Sequence, residues 1–328
     1  MRLCFVIPVF DEQETLRPLT EGIIKHVGDH EYRIVFIDDG STDDSWKIMQ
    51  ELRRDYDHID ILRLRRNFGK SQALSVGFHQ VYGDIIFMMD ADLQDDPKEI
   101  PRFLDKMAEG YDVVCGWKKN RLDPWHKTFP SSIYNNLIAR LFKLDLHDIN
   151  TGFKAFRGEI VRKLPLYGEM HRLVAVWADH LGYKVTEIPV DHHPRRFGRS
   201  KFGVERFTRG AADVLTAWFL RRYGETPAHL FAATAFFTGI LGGLGIIGVV
   251  SAATYSLLLQ DVMAPEMRLA MFTLFLVLLA ICLMLVIFGF IGMGVGLISQ
   301  LFIHRLPIMA PTDFIKEEDC GLPDEPER

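Results

Sequence analysis

Two stretches of the chain, Leu230 to Gln260 and Leu269 to Ile303, contain no Asp, Glu, Lys or Arg, and nothing else in the sequence restricts the fold as severely. A membrane-spanning helix needs roughly 20 apolar residues. Each run exceeds that, so tilt or helix ends reaching into the interface are expected. Two buried core helices of a soluble protein would need apolar segments of unusual, uninterrupted length. The connector Asp261 to Arg268 is short and nearly neutral, while Arg221 and Arg222 precede the first run and His304 and Arg305 follow the second. By the positive-inside rule both flanks are cytoplasmic, which gives a two-helix transmembrane hairpin over residues 226–306. The opening Leu3-Cys4-Phe5-Val6-Ile7-Pro8-Val9 is too short for a signal peptide and runs straight into acidic residues. A large domain over residues 1–200 is therefore expected to stay in the cytosol.

A net charge of −5 argues against a nucleic-acid binder. The basic residues nevertheless cluster. From Arg195 to Arg222, eight Arg and Lys stand against Glu205 and Asp213, which suits a segment close to anionic headgroups or a phosphate. Within it, residues 201–225 carry Phe207, Ala211, Val214, Leu215, Trp218 and Phe219 at helical spacing. This helix either lies in the membrane interface or packs on the preceding domain. Cys4, Cys115, Cys282 and Cys320 show no paired spacing for zinc and no disulfide framework. Residues 307–328 are acidic and contain proline, as a disordered cytosolic tail would.

The N-terminal part alternates short β-rich runs with helical patterns, as an α/β domain does. Strands are expected at Leu3 to Val9, Arg33 to Asp38, Asp60 to Leu64, Asp84 to Asp90 and Asp112 to Gly116. Helices are expected near Glu14 to His26, Asp44 to Tyr56, Ser71 to Val81 and Lys98 to Glu109, with another over Phe129 to Phe142. In such sheets the ligand sits beyond the carboxyl ends of the strands. The polar clusters fall there: Asp11-Glu12, Asp38-Asp39-Gly40-Ser41 and Asp90-Ala91-Asp92. Residues i and i+2 of an extended strand share a side, so Asp90 and Asp92 would present two carboxylates to a hard cation, Mg2+ or Mn2+. An isolated Asp-x-Asp reads as a solvated turn. The position after the apolar run Ile85-Ile86-Phe87-Met88-Met89 reverses that preference.

Val6-Ile7-Pro8-Val9-Phe10-Asp11-Glu12, Ile37-Asp38-Asp39-Gly40-Ser41-Thr42-Asp43, Asn67-Phe68-Gly69-Lys70 and Asp90-Ala91-Asp92-Leu93-Gln94 together resemble the family-two, GT-A-fold inverting glycosyltransferases. Within that family, Thr151-Gly152-Phe153-Lys154, His171-Arg172, the basic segment and the apolar hairpin resemble the polyprenyl-phosphate glycosyltransferases of the dolichyl-phosphate mannose synthase type. The resemblance spans about residues 3 to 300 and implies an α/β, Rossmann-like GT-A domain. It also implies roles. Pro8, Asp11, Glu12 and Asp38 or Asp39 would line the pocket for base and ribose, with Lys70 nearby. Asp90, Asp92 and Gln94 would lie at the metal, and Arg172, Arg195, Arg196, Arg199 and Lys201 would surround the pyrophosphate and acceptor phosphate. The chain departs from the family at Asp95-Asp96-Pro97, where relatives often carry a less acidic pair, and at Ser299-Gln300 at the end of the second span.

The implied donor is a UDP- or GDP-sugar, and the implied acceptor is a polyprenyl phosphate in the membrane. A lipid phosphate loses its second proton near pH ~6, so such an acceptor needs no carboxylate base. The task is to hold two anions side by side. Asp148 and Asn150, ahead of Thr151-Gly152, sit at an expected pocket edge where they would touch the sugar. His192 and His193, at the end of a strand expected over Lys184 to His192, face opposite sides and read as structural or interfacial rather than as metal ligands or bases. A hydroxyl-bearing lipid acceptor would require a base, for which Asp148 is the candidate. A scaffold that only binds nucleotide sugars is the non-enzymatic alternative, and homo-oligomerisation fits the glycines Gly239, Gly242, Gly243 and Gly245 of the first span.

Overall fold

Alternating apolar runs and amphipathic segments fold into strands and helices in the expected order. The computed structural model describes residues 1–119, 135, 138–194, 205–223, 227–258, 265–303 and 315–319. The strands are β1 (Arg2–Val9), β2 (Glu31–Asp38), β3 (Ile59–Leu64), β4 (Ile85–Met88), β5 (Val113–Trp117), β6 (Lys154–Arg157), β7 (Val185–Pro189) and β8 (Ile315–Asp319). The helices between them are α1 (Leu16–His26), α2 (Ser45–Asp55), α3 (Lys70–Gln80), α4 (Ile100–Ala108), α5 (Gly158–Val161), α6 (Val174–His180) and α7 (Glu205–Tyr223). The helix expected over Phe129 to Phe142 lies mostly outside the described residues.

The strands form one eight-stranded sheet in the order β7-β5-β6-β4-β1-β2-β3-β8. β3, β2, β1 and β4 run parallel. β6 is inserted antiparallel between β4 and β5, and β5 then pairs parallel with β7. β1 is buried on both faces, as the central strand of a covered parallel sheet must be. Its Leu3, Phe5, Ile7 and Val9 belong to the large core shared with α1 and α4. There Phe5 stacks on Phe87 at 4.9 Å and Phe103 meets Phe153 at 4.3 Å.

The tail departs from the expectation drawn from its composition. Where residues 307–328 read as disordered, Ile315–Asp319 is a strand pairing antiparallel with β3, with a register irregularity between Arg63 and Leu64. The reason is backbone chemistry rather than apolar content: an edge strand offers a row of unpaired N–H and C=O groups that any extended segment can satisfy.

The chain divides into two compact units, Met1–Trp218 with Met309–Arg328, and Phe219–Ile308. Most of α7 belongs to the first, and its Val214 and Ala217 are buried. The second unit is a pair of helices, α8 (Pro227–Leu258) and α9 (Pro265–Ile303). Both are long and apolar enough to cross a membrane, with mean hydropathy 2.0 over Phe231–Tyr255 and 3.3 over Pro265–Val295. Only 11% and 6% of these windows is buried, far too little for core helices of a soluble protein. Small residues set their approach: a Cβ on Gly242 would lie 2.7 Å from Val286 Cγ2, and one on Gly289 would lie 3.0 Å from the Ala235 carbonyl. Gly239 and Gly243 have open space instead.

Gly77 shows how closely α3 lies on the sheet. A Cβ there would fall 2.6 Å from Val6 Cγ1 and 2.8 Å from Ile37 Cδ1, both fully buried. Alanine gains about 1 kcal/mol of helix propensity, while overpacking a filled core costs about 1–3 kcal/mol. Gly77→Ala should therefore lower the unfolding free energy by up to about 2 kcal/mol in denaturant titration. A stability gain would show that α3 is free to lift.

Candidate active site

The first two polar clusters are cross-tied at the carboxyl ends of β1 and β2. Asp11 adopts a left-handed conformation (φ 49°), and its carboxylate accepts from the Thr42 N–H at 2.7 Å while its own N–H donates to Ser41 Oγ at 3.0 Å. The Glu12 N–H donates to Ser45 Oγ at 2.9 Å. Asp38 is wholly buried, accepting from the Ser41 N–H at 2.8 Å and pairing with Arg63 Nε at 3.1 Å. Asp39 accepts from the N–H groups of Phe68 and Gly69 at 2.7 and 2.9 Å. It thus fixes the turn that opens α3 and presents Lys70 on its first residue. Pro8, half-buried near the end of β1, borders the same region.

Lys70 and Asp90 form an ion pair, although they come from different βα units. Burial pushes the Asp90 carboxyl up, but Lys70, with Lys118 and Lys154 behind it, outweighs burial and holds the group below the usual carboxylate range. Leu93 follows in the left-handed region (φ 57°), and this turn lets Asp92 accept from the Gln94 N–H at 3.1 Å. Asp92 is 7% exposed. The two acids in which the chain departs from the family it resembles are both matched. Asp95 pairs with Lys118 at 2.8 Å and bridges through its backbone to His192. Asp96 meets His193 Nε2 at 3.0 Å and caps the 97–99 turn through the Lys98 N–H. The structural reading of the two histidines agrees with these contacts.

His171 and Arg172 lie on a short 3-10 turn, Met170–Arg172, held against α3 by Ser71: the His171 N–H donates to Ser71 Oγ at 3.1 Å, and that hydroxyl meets His171 Nδ1 at 2.8 Å. Arg172 is buried and paired with Glu169 at 2.5 Å. Asp213 of α7 sits beside this pair, its carboxyl pushed up first by burial and then by Glu169. Asp148 is 1% exposed and accepts from Asn135 Nδ2 at 3.2 Å, so it is an interior group rather than a pocket edge; Asn150 is half-buried.

The fold places three further residues around Asp90 to which sequence reasoning gave no individual role. Lys118 is almost enclosed among carboxylates: burial pulls its ammonium down, and Asp95, Asp90 and Asp92 more than restore it. Gly152 packs against the Asp90 carboxylate, where an added Cβ would lie 2.6 Å from Asp90 Cγ. Lys154, at the start of an apolar strand, is fully buried. Arg195, Arg196, Arg199 and Lys201 lie outside the described residues.

No three His, Cys, Asp or Glu side chains converge as a metal cage among the described residues. A hard cation shared with substrate phosphates needs only one or two carboxylates, and Asp90 and Asp92 fit that requirement. The nearby cations Lys70 and Lys118 show how much negative charge is concentrated there.

Asp39 is 4% exposed, and burial pushes its carboxyl up to about 6 despite the two N–H donors. A folded value above the unfolded one, about 3.9, stabilises the fold below pH ~4, and that contribution is lost as pH rises through the folded value. The unfolding free energy of the native chain minus that of Asp39→Asn should therefore fall by roughly 3 kcal/mol between about pH 4 and about pH 7. A flat difference would mean that Asp39 titrates normally.

The profile of the family described as Glycosyl transferase family 2 matches residues 4–165. The chain is 34% identical over 251 residues to dodecaprenyl-phosphate galacturonate synthase of Rhizobium johnstonii, a match covering 74% of each chain. Among solved structures, glucosyl-3-phosphoglycerate synthase of Mycobacterium tuberculosis with Mn2+, UDP-glucose and phosphoglyceric acid superposes with TM-score 0.51 at 19% identity, over 67% of this chain and 79% of that one. The same enzyme with Mn2+, UDP and phosphoglyceric acid gives TM-score 0.52 at 19% identity, over 67% and 78%. At such identity the likeness speaks for the fold, a GT-A-like mixed α/β sheet. The sequence match and the carboxylate-bearing strand ends agree: this chain is a glycosyltransferase and belongs to glycosyl transferase family 2.

Proposed function

We propose that the enzyme transfers a sugar, with inversion, from a UDP- or GDP-sugar to a polyprenyl phosphate at the cytoplasmic face of a membrane. Residues 1–200 would carry the chemistry, 201–225 would lie at the interface and 226–306 would cross the bilayer. The observation that carries this reading is the Lys70–Asp90–Asp92 cluster at the carboxyl end of β4, in a chain that also bears two membrane-length apolar helices. The relative from Rhizobium johnstonii is named as a synthase of a polyprenyl-phosphate sugar, which supports the same acceptor class.

Asp92, with Asp90 and Gln94, would hold Mg2+ or Mn2+, and Lys70 would stand beside the donor phosphates. When bound, the cation stabilises the charge that develops on the departing nucleoside diphosphate. Asp11, Glu12, Asp38 and Asp39 brace the two loops that frame the nucleoside, with Pro8 at their base. Lys118, enclosed beside the same carboxylates, limits their mutual repulsion. Arg172 at its turn, and Arg195, Arg196, Arg199 and Lys201 in the basic segment, would bring the acceptor phosphate up to the donor by offsetting the repulsion of two anions. The interior position of Asp148 supports a phosphate acceptor over a hydroxyl one, because a base has to reach the proton that it removes.

The test is transfer of labelled sugar from a panel of UDP- and GDP-sugars, UDP-galacturonate among them, into membranes containing polyprenyl phosphate, with Mg2+, Mn2+ or EDTA. Label should enter an acid-labile lipid only with metal present, and Asp92→Ala should reduce it by about 100-fold or more. Absence of label with every donor would sink the proposal. Gly152→Ala, which displaces Asp90 from its seat, should keep a native melting profile while its transfer rate drops by about tenfold or more; native transfer would mean that the Asp90 position is not critical.

A further inference from the structure

Lys154 has no role in the reading above, yet its environment demands one. It opens β6, in register with Met88 of β4 and Cys115 of β5, at the centre of the sheet. No part of it is exposed. Burying an ammonium costs several kcal/mol, and a methionine would fill the same linear space among apolar neighbours at far lower cost. A lysine in such a position has to be explained by what its nitrogen holds.

Nζ donates to the carbonyl of Thr151. The next residue is Gly152, whose backbone lies flush against the Asp90 carboxylate. The ammonium is also within electrostatic reach of Asp90, Asp148, Cys115 and Lys70, and burial, the largest influence, pulls its pKa down. Asp90 is thus held from two sides. Lys70 grips it from the partly open side, where the side chains of the pair are 24% and 29% exposed. The Thr151-Gly152 turn bears on it from the interior.

We propose that Lys154 is a positioning residue for the metal and donor site, anchoring the Thr151-Gly152 turn so that Gly152 seats the Asp90 carboxylate. The inference rests on the reading that Asp90 and Asp92 hold the cation with the donor diphosphate. It assigns the two lysines different tasks. Lys70 is reachable from the donor side and is free to exchange Asp90 for phosphate, whereas Lys154 stays fixed and keeps the seat in place during that exchange.

The experiment measures Mn2+ binding to the full-length protein in detergent by electron paramagnetic resonance, with UDP and in parallel with GDP. Removing Lys154 alone would also take away an ammonium that acts electrostatically on Asp148, so the informative comparison is Lys154→Met/Asp148→Asn against Asp148→Asn. The double variant should bind Mn2+ at least about tenfold more weakly in the presence of nucleotide while melting like the single one. Adding Gly152→Ala to it should weaken binding no further, since both changes act through one seat. Equal or tighter binding by the double variant would overturn the role of Lys154, as would an additional loss on adding Gly152→Ala. Asp92→Ala separates the two levels of the argument. If it binds Mn2+ as the native chain does with both nucleotides, the metal site itself is misassigned and the Lys154 inference falls with it. If it loses binding while the double variant keeps it, only Lys154 is misassigned.

Discussion

Carboxylates that end a central strand must be kept charged and kept apart from one another, and much of the polar interior of the first unit answers that requirement. Asp90, Asp92 and Asp95 follow β4 within seven residues of its end. Their cations arrive from elsewhere: Lys70 from the start of α3 and Lys118 from beyond β5. Each pair joins segments distant in sequence, so the charge balance also fixes how the strand ends are arranged. In a low-dielectric setting an unmatched ion would cost several kcal/mol, which makes the arrangement an all-or-nothing one. The helix ends and loops around it are held by side chains accepting backbone N–H groups, as Asp39 does for the turn before α3.

Much of this was legible in the sequence, for a physical reason. Covered parallel strands read as continuous apolar runs, and β1 to β5 were found from such runs alone. The polar clusters were found because the carboxyl ends of strands are where an α/β sheet leaves room for a ligand. What stayed hidden depended on partners far away in the chain. That β6 inserts antiparallel between β4 and β5 is a matter of pairing, which a four-residue strand does not encode locally. Lys118 and Lys154 look solvent-bound by residue type, and only the fold shows that they are enclosed. Asp148 failed in the opposite sense: its place before a glycine suggested a pocket edge, but it is buried against Asn135. The tail was misread because composition reports burial, whereas an edge strand needs only backbone.

The two units obey different rules. In the first, most large apolar side chains are hidden, and buried acids such as Asp38 and Asp95 are matched by a cation. In the second, most large apolar side chains of α8 and α9 face outward, among them Phe236, Phe237, Phe288 and Phe290. Helices of that kind gain little from hydrophobic attraction to each other in lipid. Their approach relies on fit, which is why glycines sit where α9 comes nearest to α8. One chain therefore carries two kinds of core, one driven by water and one by shape.

The order of the strands has a consequence for how the protein is made. β8 neighbours β3 in the sheet, yet it is encoded after both apolar helices. A ribosome that has finished β1 to β7 still has the whole hairpin to deliver before the eighth strand exists. During that interval the free side of β3 has no native neighbour, and an unpaired strand edge is where a nascent chain is most open to wrong partners. The sheet therefore cannot be completed until both apolar helices have been translated.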